Sequence, residues 1–425
     1  MKKLFVCLIW MLLVSSAAFG ASASEPGTAL EDASEALTLS ECYTLALKQS
    51  EFIAVDAEKI KEAEAHFLQS LGTILPQVSF ARTQIRKDFQ SSSVHNKYEQ
   101  KFVFQQALFS GFKEFAAISA NRYEKKQAIS EKARAEQLLF TDVSDAFYLL
   151  LEVRGDLSAL ETIRQTFSDR VDELKSRENL GKSRTSEAVS TETQLYVLED
   201  QIESGKAEEI VSRQLLEFLV GRPVKEITDT SSQFVLKPES GYLSNADSRN
   251  DVLAAKYAWL SAQKNVAFAR SGFFPSVNLE SDYYTHLATA PSDARWDAVL
   301  KISVPLWEGT SNFGLVKEAN AKAREGELLF KRAGRLANQD IHNAYINAQY
   351  AFSRLAILEK ALKSAELNYT LQINDYEKNV VNNLDVLTAI QNLANVRRSY
   401  NSVLYTSKRY YLQLQVAAGE IPVER

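Results

Sequence analysis

The sequence predicts a mainly α-helical chain that also contributes strands to a membrane β-barrel, with this arrangement built twice. Its 425 residues include only 15 glycines and 8 prolines, so few of the residues that usually separate short elements are present. No proline occurs between Pro76 and Pro223, or between Pro305 and Pro422. These two long proline-free stretches predict very long helices. The third observation is an internal repeat.

Short motifs recur in the same order in the two halves of the chain. Four pairs share an offset of 197 to 199 residues: 75–78 with 274–277, 108–111 with 306–309, Tyr148 with Tyr345, and 181–187 with 379–385. A single match would arise by chance, but four in one order at one spacing indicate an internal duplication.

Each half is predicted to contain a helix, a β-hairpin, a very long helix, a tight turn and a further helix. At 1.5 Å per residue, a helix over 112–178 would be roughly 100 Å long, which favours an extended helical wall over the alternative of an ordinary bundle. The predicted segments are a signal peptide at 1–23, an N-terminal segment at 24–37, repeat 1 at 38–220 with a hairpin at about 77–106, an equatorial connector at 221–245, and repeat 2 at 246–425 with a hairpin at about 276–305.

The N-terminus has the pattern of a secretory signal peptide. Lys2 and Lys3 precede an apolar run over 4–14, and small residues follow. Without the two lysines the formal charge changes from −5 to −7, and so acidic a chain is not expected to bind nucleic acid. Cys42 is then the one remaining cysteine, which excludes an intramolecular disulfide. The chain is expected to be exported, either soluble or embedded in a membrane through strands.

The second hairpin alternates apolar and polar residues, as a strand between lipid and water does. The residues predicted to face lipid are Val277, Leu279, Trp296, Ala298, Leu300, Ile302 and Val304. The first hairpin alternates less cleanly, since Gln100 and Gln106 interrupt its apolar face, and a two-sided soluble sheet is the alternative. Four strands are fewer than the eight of the smallest membrane barrels, so spanning strands require several chains.

No catalytic, cofactor or metal site is predicted. The four histidines, at positions 66, 95, 286 and 342, show no paired helical spacing, and one cysteine cannot complete a zinc site. No nucleotide-binding or nucleophile motif is present. The chain is therefore not expected to be an enzyme.

The turns at 179–187 and 379–385 are the most informative candidate sites. Gly181 and Asn379 tolerate the left-handed conformation that ends many helices. Glu187 and Asp385 then fall in the first turn of the following helix, where an acid is favourable against the helix dipole. Simple capping is one interpretation. The other is that these acids ring the narrow end of a pore.

The chain resembles the TolC-like outer-membrane efflux proteins over essentially all of its mature sequence. The motifs that carry the resemblance are the strand exits at 108–111 and 306–309, Phe218-Leu219-Val220-Gly221-Arg222-Pro223, Tyr376-Glu377-Lys378-Asn379 and Leu384-Asp385-Val386-Leu387. The resemblance implies a homotrimer with a 12-stranded β-barrel, continuous with a trimeric α-helical tunnel in the periplasm. It also implies location in the outer membrane of a Gram-negative bacterium, contact with outer-membrane lipid, and docking to a periplasmic adaptor protein and an inner-membrane transporter.

The resemblance also suggests entrance residues. Tyr376 matches the family tyrosine and Asp385 an acid near the tunnel tip, while Glu187 is the equivalent residue of repeat 1. Arg184 is a further candidate, and the Tyr376 phenol is expected to donate to the Glu187 carboxylate. Where some members carry an arginine and a second acid, this chain has Val381 and Thr388.

The predicted function is a passive exit duct of a tripartite efflux or type I secretion system. A soluble periplasmic coiled-coil adaptor, similar to the membrane fusion proteins, is the alternative.

Overall fold

A computed structural model describes residues 36–89, 92–231, 234–287 and 294–422. The predicted signal peptide and nearly all of the predicted segment at 24–37 lie outside these residues. From Leu37 onward the chain forms one unit.

Two helices precede the first hairpin, where the sequence suggested one. Helix α1 covers Leu39–Gln49 and begins with a capping box between Thr38 and Glu41. Helix α2 covers Glu51–Gly72. The break falls at Ser50, which is extended and accepts a hydrogen bond from the Ile53 amide at 3.4 Å. Because a serine side chain can cap a helix N-terminus, Ser50 both ends α1 and starts α2.

Four antiparallel strands form one sheet in the order β1-β2-β3-β4. The strands are β1 at Gln77–Phe89, β2 at Ser92–Ser110, β3 at Ser276–His286 and β4 at Trp296–Ser303. The two hairpins therefore lie side by side through β2 and β3. Strands β1 and β4 are the two edges of the sheet.

The two long helices have the same length and equivalent positions. Helix α3 covers Lys113–Asn179 and α7 covers Ser311–Glu377, 67 residues each, with their starts and their ends 198 residues apart. Each is followed by a shorter helix, α4 at Thr185–Val220 and α8 at Asn383–Ala417. The connector contains the short helix α5 at Glu239–Leu243, and helix α6 at Asn250–Arg270 is the first long helix of repeat 2. Among the described helices, none combines the length and the apolar character needed to cross a membrane.

The helices form a wall whose neighbours change along its length. Beside the sheet the order is α2, α3, α6, α7, and at the other end it is α4, α3, α8, α7. Helix α3 thus packs on both sides, whereas α7 lies at an edge. One apolar core surrounds Phe140 and Phe147 where the connector residues Val224 and Ile227 pack. A second core lies nearer the helix turns.

Candidate functional site at the helix turns

The two helix turns share one backbone geometry, as their sequences predicted. Gly181 has φ +67° and Asn379 has φ +58°. The Lys182 amide donates to the Arg177 carbonyl at 2.8 Å, and the Val380 amide donates to the Asp375 carbonyl at 2.9 Å. This is the hydrogen bond of a Schellman motif, which needs a left-handed residue just after the helix. Glycine and asparagine supply that conformation at little steric cost.

The acids that follow the turns make local capping contacts. The Asp385 carboxylate accepts from the Asn382 amide at 3.1 Å, while the Asn382 side chain accepts from the Asp385 amide at 3.2 Å. Glu187 is half-buried and accepts from the Ser183 hydroxyl at 2.7 Å. Arg184, the N-cap residue of α4, is exposed and makes no side-chain cap. The capping interpretation of Asp385 therefore holds, and Asp385 also remains exposed to solvent.

Tyr376 lies in a different environment from the one expected. It is buried, and its ring lies between two guanidinium groups of α3, with Arg170 at 3.7 Å and Arg177 at 4.8 Å from the ring centroid. Both distances fit cation–π attraction, which strengthens when water is excluded. The expected hydrogen bond to Glu187 is not formed within the chain, because Tyr376 faces α3 instead.

Arg170 is the centre of a buried polar network that joins three helices. Its Nε donates to the Asn383 side chain at 3.0 Å, and Asn383 donates to the Thr191 hydroxyl at 3.2 Å. All three residues are buried. Glu173 accepts from Arg170 at 2.5 Å and lies 3.5 Å from Arg177, so one carboxylate serves both arginines.

Sequence reasoning missed both arginines. Their spacing of seven residues places them on the same face of α3 two turns apart, and this spacing can be read from the sequence. Their partner Tyr376 is about 200 residues away, and no local signal connects it to them. The network rests on the second apolar core, which includes Phe167, Leu174, Val386 and Ile390. A buried charged network on an apolar base is well suited to holding one fixed arrangement of helices.

The sheet register places the predicted lipid-facing residues together. Opposite one another lie Val277 and Ile302, Leu279 and Leu300, Ser281 and Ala298, and Tyr283 and Trp296. Directly paired residues share a face, so these side chains form one largely apolar surface. Val304, also predicted to face lipid, follows the last residue of β4.

The opposite face of the sheet is polar. Lys101 forms an ion pair with the buried Asp282, and the Tyr284 hydroxyl donates to the Asp297 carboxylate at 2.9 Å. One sheet thus separates an apolar surface from a charged one. Within the described residues, no group of three or more histidines, cysteines and acids has the arrangement of a metal site.

Comparisons with known proteins agree with this architecture. The family described as "Outer membrane efflux protein" matches residues 244–420. The outer membrane protein TolC of Vibrio cholerae is 23% identical over 413 residues, which cover 92% of this chain and 93% of TolC. The cation efflux system protein CusC of Escherichia coli K12 is 23% identical over 180 residues, which cover 40% of this chain and 38% of CusC. The chain thus matches less than half the length of that relative.

Solved structures show the same fold at low sequence identity. A CusC crystal structure matches with a TM-score of 0.82 and 17% identity, covering 90% of this chain and 92% of the other. The outer membrane protein VceC of Vibrio cholerae matches with a TM-score of 0.80 and 20% identity, covering 90% and 96%. The fold is that of the outer-membrane efflux channels. The predicted resemblance to the TolC-like outer-membrane efflux family is confirmed, and so is the predicted outer-membrane location. The relatives are efflux and outer-membrane proteins, not enzymes.

Proposed function

We propose that the chain forms a passive outer-membrane exit duct as a homotrimer. Three copies of the four-stranded sheet would close a 12-stranded barrel, and the helical walls would form a tunnel in the periplasm. A periplasmic adaptor and an inner-membrane transporter would deliver the substrate and supply the energy. The duct itself makes and breaks no covalent bond.

The observation that carries this proposal is the open sheet. Strands β1 and β4 each pair on one side only within the described residues, and an unpaired strand edge is costly in lipid because its backbone polar groups lack partners. Pairing β4 of one copy with β1 of the next removes both edges. The apolar face formed by β3 and β4 then faces lipid, and the charged face around Asp282 lines the lumen.

The edges of the helical wall support the same assembly. Helices α4 and α7 lie at opposite edges, and both expose large apolar side chains. Tyr196 lies 11 residues after the start of α4 at Thr185, and Leu367 lies 10 residues before the end of α7 at Glu377. The two helices are antiparallel and meet the turns at the same end, so these side chains lie at similar heights. Contact between copies would cover both.

The helix turns would then form the periplasmic entrance. Arg170 and Arg177 hold Tyr376, and with it the end of α7, against α3. Arg184, Glu187 and Asp385 would line the opening around this fixed point. Three exposed Asp385 carboxylates close to one axis would favour cations, so Asp385→Ala is expected to weaken cation selectivity.

Planar-bilayer recordings of detergent-purified protein test the duct directly. The wild-type chain is expected to insert and give discrete conductance steps. Leu300→Arg, on the apolar sheet face, should reduce insertion strongly, because a charge near the bilayer midplane costs about 2–4 kcal/mol. Lys301→Glu, on the neighbouring position and opposite face, should insert normally. No conductance from the wild-type protein, or equal effects of the two substitutions, would contradict the proposal.

A further inference from the structure

Charge is distributed unevenly along both long helices. In α3, residues 113–134 include six basic and three acidic side chains, whereas 135–179 include five basic and ten acidic. In α7, residues 311–335 include six basic and three acidic, whereas 336–377 include three basic and five acidic. The basic portion is in each case the one that follows a strand. An acidic chain therefore carries positive charge next to its sheet.

Two of the basic residues beside the sheet, Lys113 and Arg270, lie on chain segments that contact each other. The Nζ atom of Lys113, at the start of α3, lies 5.0 Å from the ring centroid of Phe268, and Arg270 ends α6 two residues later. The segments are in close contact, since a Cβ atom on Gly111 would lie 2.8 Å from the Ser271 carbonyl oxygen. Lys113 and Arg270 are both exposed, and neither pairs with a carboxylate in the part of the chain that the structure describes.

Exposed aromatic side chains occur, as Lys113 and Arg270 do, where the helices and the strands join. Phe112 is 61% exposed, Phe274 is 50% exposed, and Trp307 is 80% exposed. Aromatic residues at the ends of membrane strands mark the boundary between hydrocarbon and water. Cations that no carboxylate neutralises at that boundary can extend toward headgroups while their aliphatic stems remain in the apolar layer.

We propose that Lys113 and Arg270 bind the phosphate of an anionic phospholipid in the periplasmic leaflet of the outer membrane. This inference rests on the proposed function, which places the sheet in the membrane. Arginine and lysine make charge-assisted hydrogen bonds to phosphate oxygens, and clustered basic residues beside a membrane recognise anionic headgroups. The aromatic surroundings favour a lipid over free phosphate, because Phe112 and Phe274 would pack against acyl chains that inorganic phosphate lacks.

Nanodiscs of two compositions provide the test. Protein in discs of phosphatidylcholine alone is compared with protein in discs that also contain phosphatidylglycerol, and the readouts are the midpoint of thermal dissociation and the lipid retained in native mass spectrometry. The wild type should dissociate several degrees higher with phosphatidylglycerol. The double variant Lys113→Gln/Arg270→Gln should lose that increase and bind phosphatidylglycerol about thirty-fold more weakly.

A matched control removes two exposed cations from the far end of the wall. Lys182→Gln/Lys360→Gln should respond to phosphatidylglycerol as the wild type does. An equal response of both double variants, or an equal stabilisation of the wild type by inorganic phosphate in phosphatidylcholine discs, would overturn the lipid site while leaving the duct intact. Failure of the wild type to enter either disc would instead overturn the proposed function, and the lipid site with it.

Discussion

Helices α3 and α7 occupy equivalent places in the duplication but are buried to very different extents. Each has 67 residues. Nineteen residues of α3 are buried, including Phe140, Phe147 and Leu150, against six residues of α7. Among the residues that the structure describes, α3 packs against neighbours on both sides, whereas α7 has them on one side only.

The difference shows that a single chain leaves an apolar surface of α7 uncovered. Tyr350, Ile357 and Leu367 of α7 are all more than 60% exposed, although apolar side chains of this size gain free energy when they leave water. Within the chain α3 is covered on both sides by helices of both repeats, whereas α7 is covered on one side of the described wall. A second copy that presents α2 and α4 to α7 would give α7 the surroundings that α3 already has.

The largest expected effect is in the core of α3. Phe147 is fully buried, so Phe147→Ala leaves a cavity and should lower the free energy of unfolding by about 3–5 kcal/mol. Tyr350→Ala on α7, measured on dissociated chains in denaturant titrations, should change it by less than about 0.5 kcal/mol. Comparable losses at the two sites would mean that the burial difference does not describe the folded chain.

A smaller effect is expected where α7 meets the next copy. Ile357→Glu places a charge on its exposed apolar face and should weaken assembly by about 1.5–3 kcal/mol, the gain from burying such a side chain. Native mass spectrometry at increasing detergent concentration measures dissociation of the subunits. Lys360→Glu, three residues away, is the control. Unchanged assembly of the Ile357 variant would place the contact elsewhere.

The contact between α3 and the end of α7 should depend on the aromatic ring of Tyr376 and not on its hydroxyl group. Tyr376→Phe retains a ring between Arg170 and Arg177 and should leave single-channel conductance nearly unchanged. Tyr376→Leu loses both cation–π contacts, each of about 0.5–2 kcal/mol, and should raise conductance by freeing the end of α7. The opposite order of the two variants would favour a hydroxyl hydrogen bond formed between copies.

A pH dependence is expected where the connector covers α3. Burial opposes ionisation of Asp229, but hydrogen bonds from Lys408 and Ser231 outweigh it and hold the pKa of the Asp229 carboxyl below its ordinary value. The carboxylate also lies 3.4 Å from the Tyr148 hydroxyl of α3. Its stabilising contribution is therefore complete above an unfolded pKa of about 3.9, and it is lost as the pH falls through the lower folded pKa.

Thermal unfolding between neutral and acidic pH measures this contribution. Asp229→Asn should be less stable at neutral pH and should show a flatter dependence on acidification than the wild type. Glu226→Gln, an exposed connector position, should retain the wild-type profile. A wild-type profile in the Asp229 variant would show that the Asp229 carboxylate does not cause the pH dependence of stability.

The lengths of α3 and α7 and the geometry of their turns could be read from the sequence, because they depend on local features. Proline-free stretches permit long helices, and Gly181 and Asn379 supply left-handed residues. The break at Ser50 was missed, because a serine inside a helical pattern caps a new helix only when its side chain turns back to the backbone.

The surroundings of Tyr376 depend on distant packing, and within one chain the predicted hydrogen bond to Glu187 does not form. Helical spacing shows that Arg170 and Arg177 share a face of α3, but it does not show which residue of α7 reaches that face. Glu187 is the predicted partner of Tyr376 because its turn is equivalent to that of Asp385. In the structure the Glu187 carboxylate accepts a hydrogen bond from Ser183 in its own turn. The ring of Tyr376 instead contacts the guanidinium groups of Arg170 and Arg177.

Disulfide trapping between copies tests most directly whether the exposed face of α7 is covered by α4 of a neighbouring chain. The background is favourable, since Cys42 is fully buried and Cys7 lies in the predicted signal peptide. Tyr196→Cys combined with Leu367→Cys places thiols at similar heights on the two edges, and Tyr196→Cys with Phe115→Cys is the control with thiols at opposite ends of the wall. Oxidation in the native membrane should give disulfide-linked dimers and trimers, and no larger species, for the first pair alone, and reductant should convert them to monomers. Monomers from both pairs, from protein that is otherwise folded, would contradict the account.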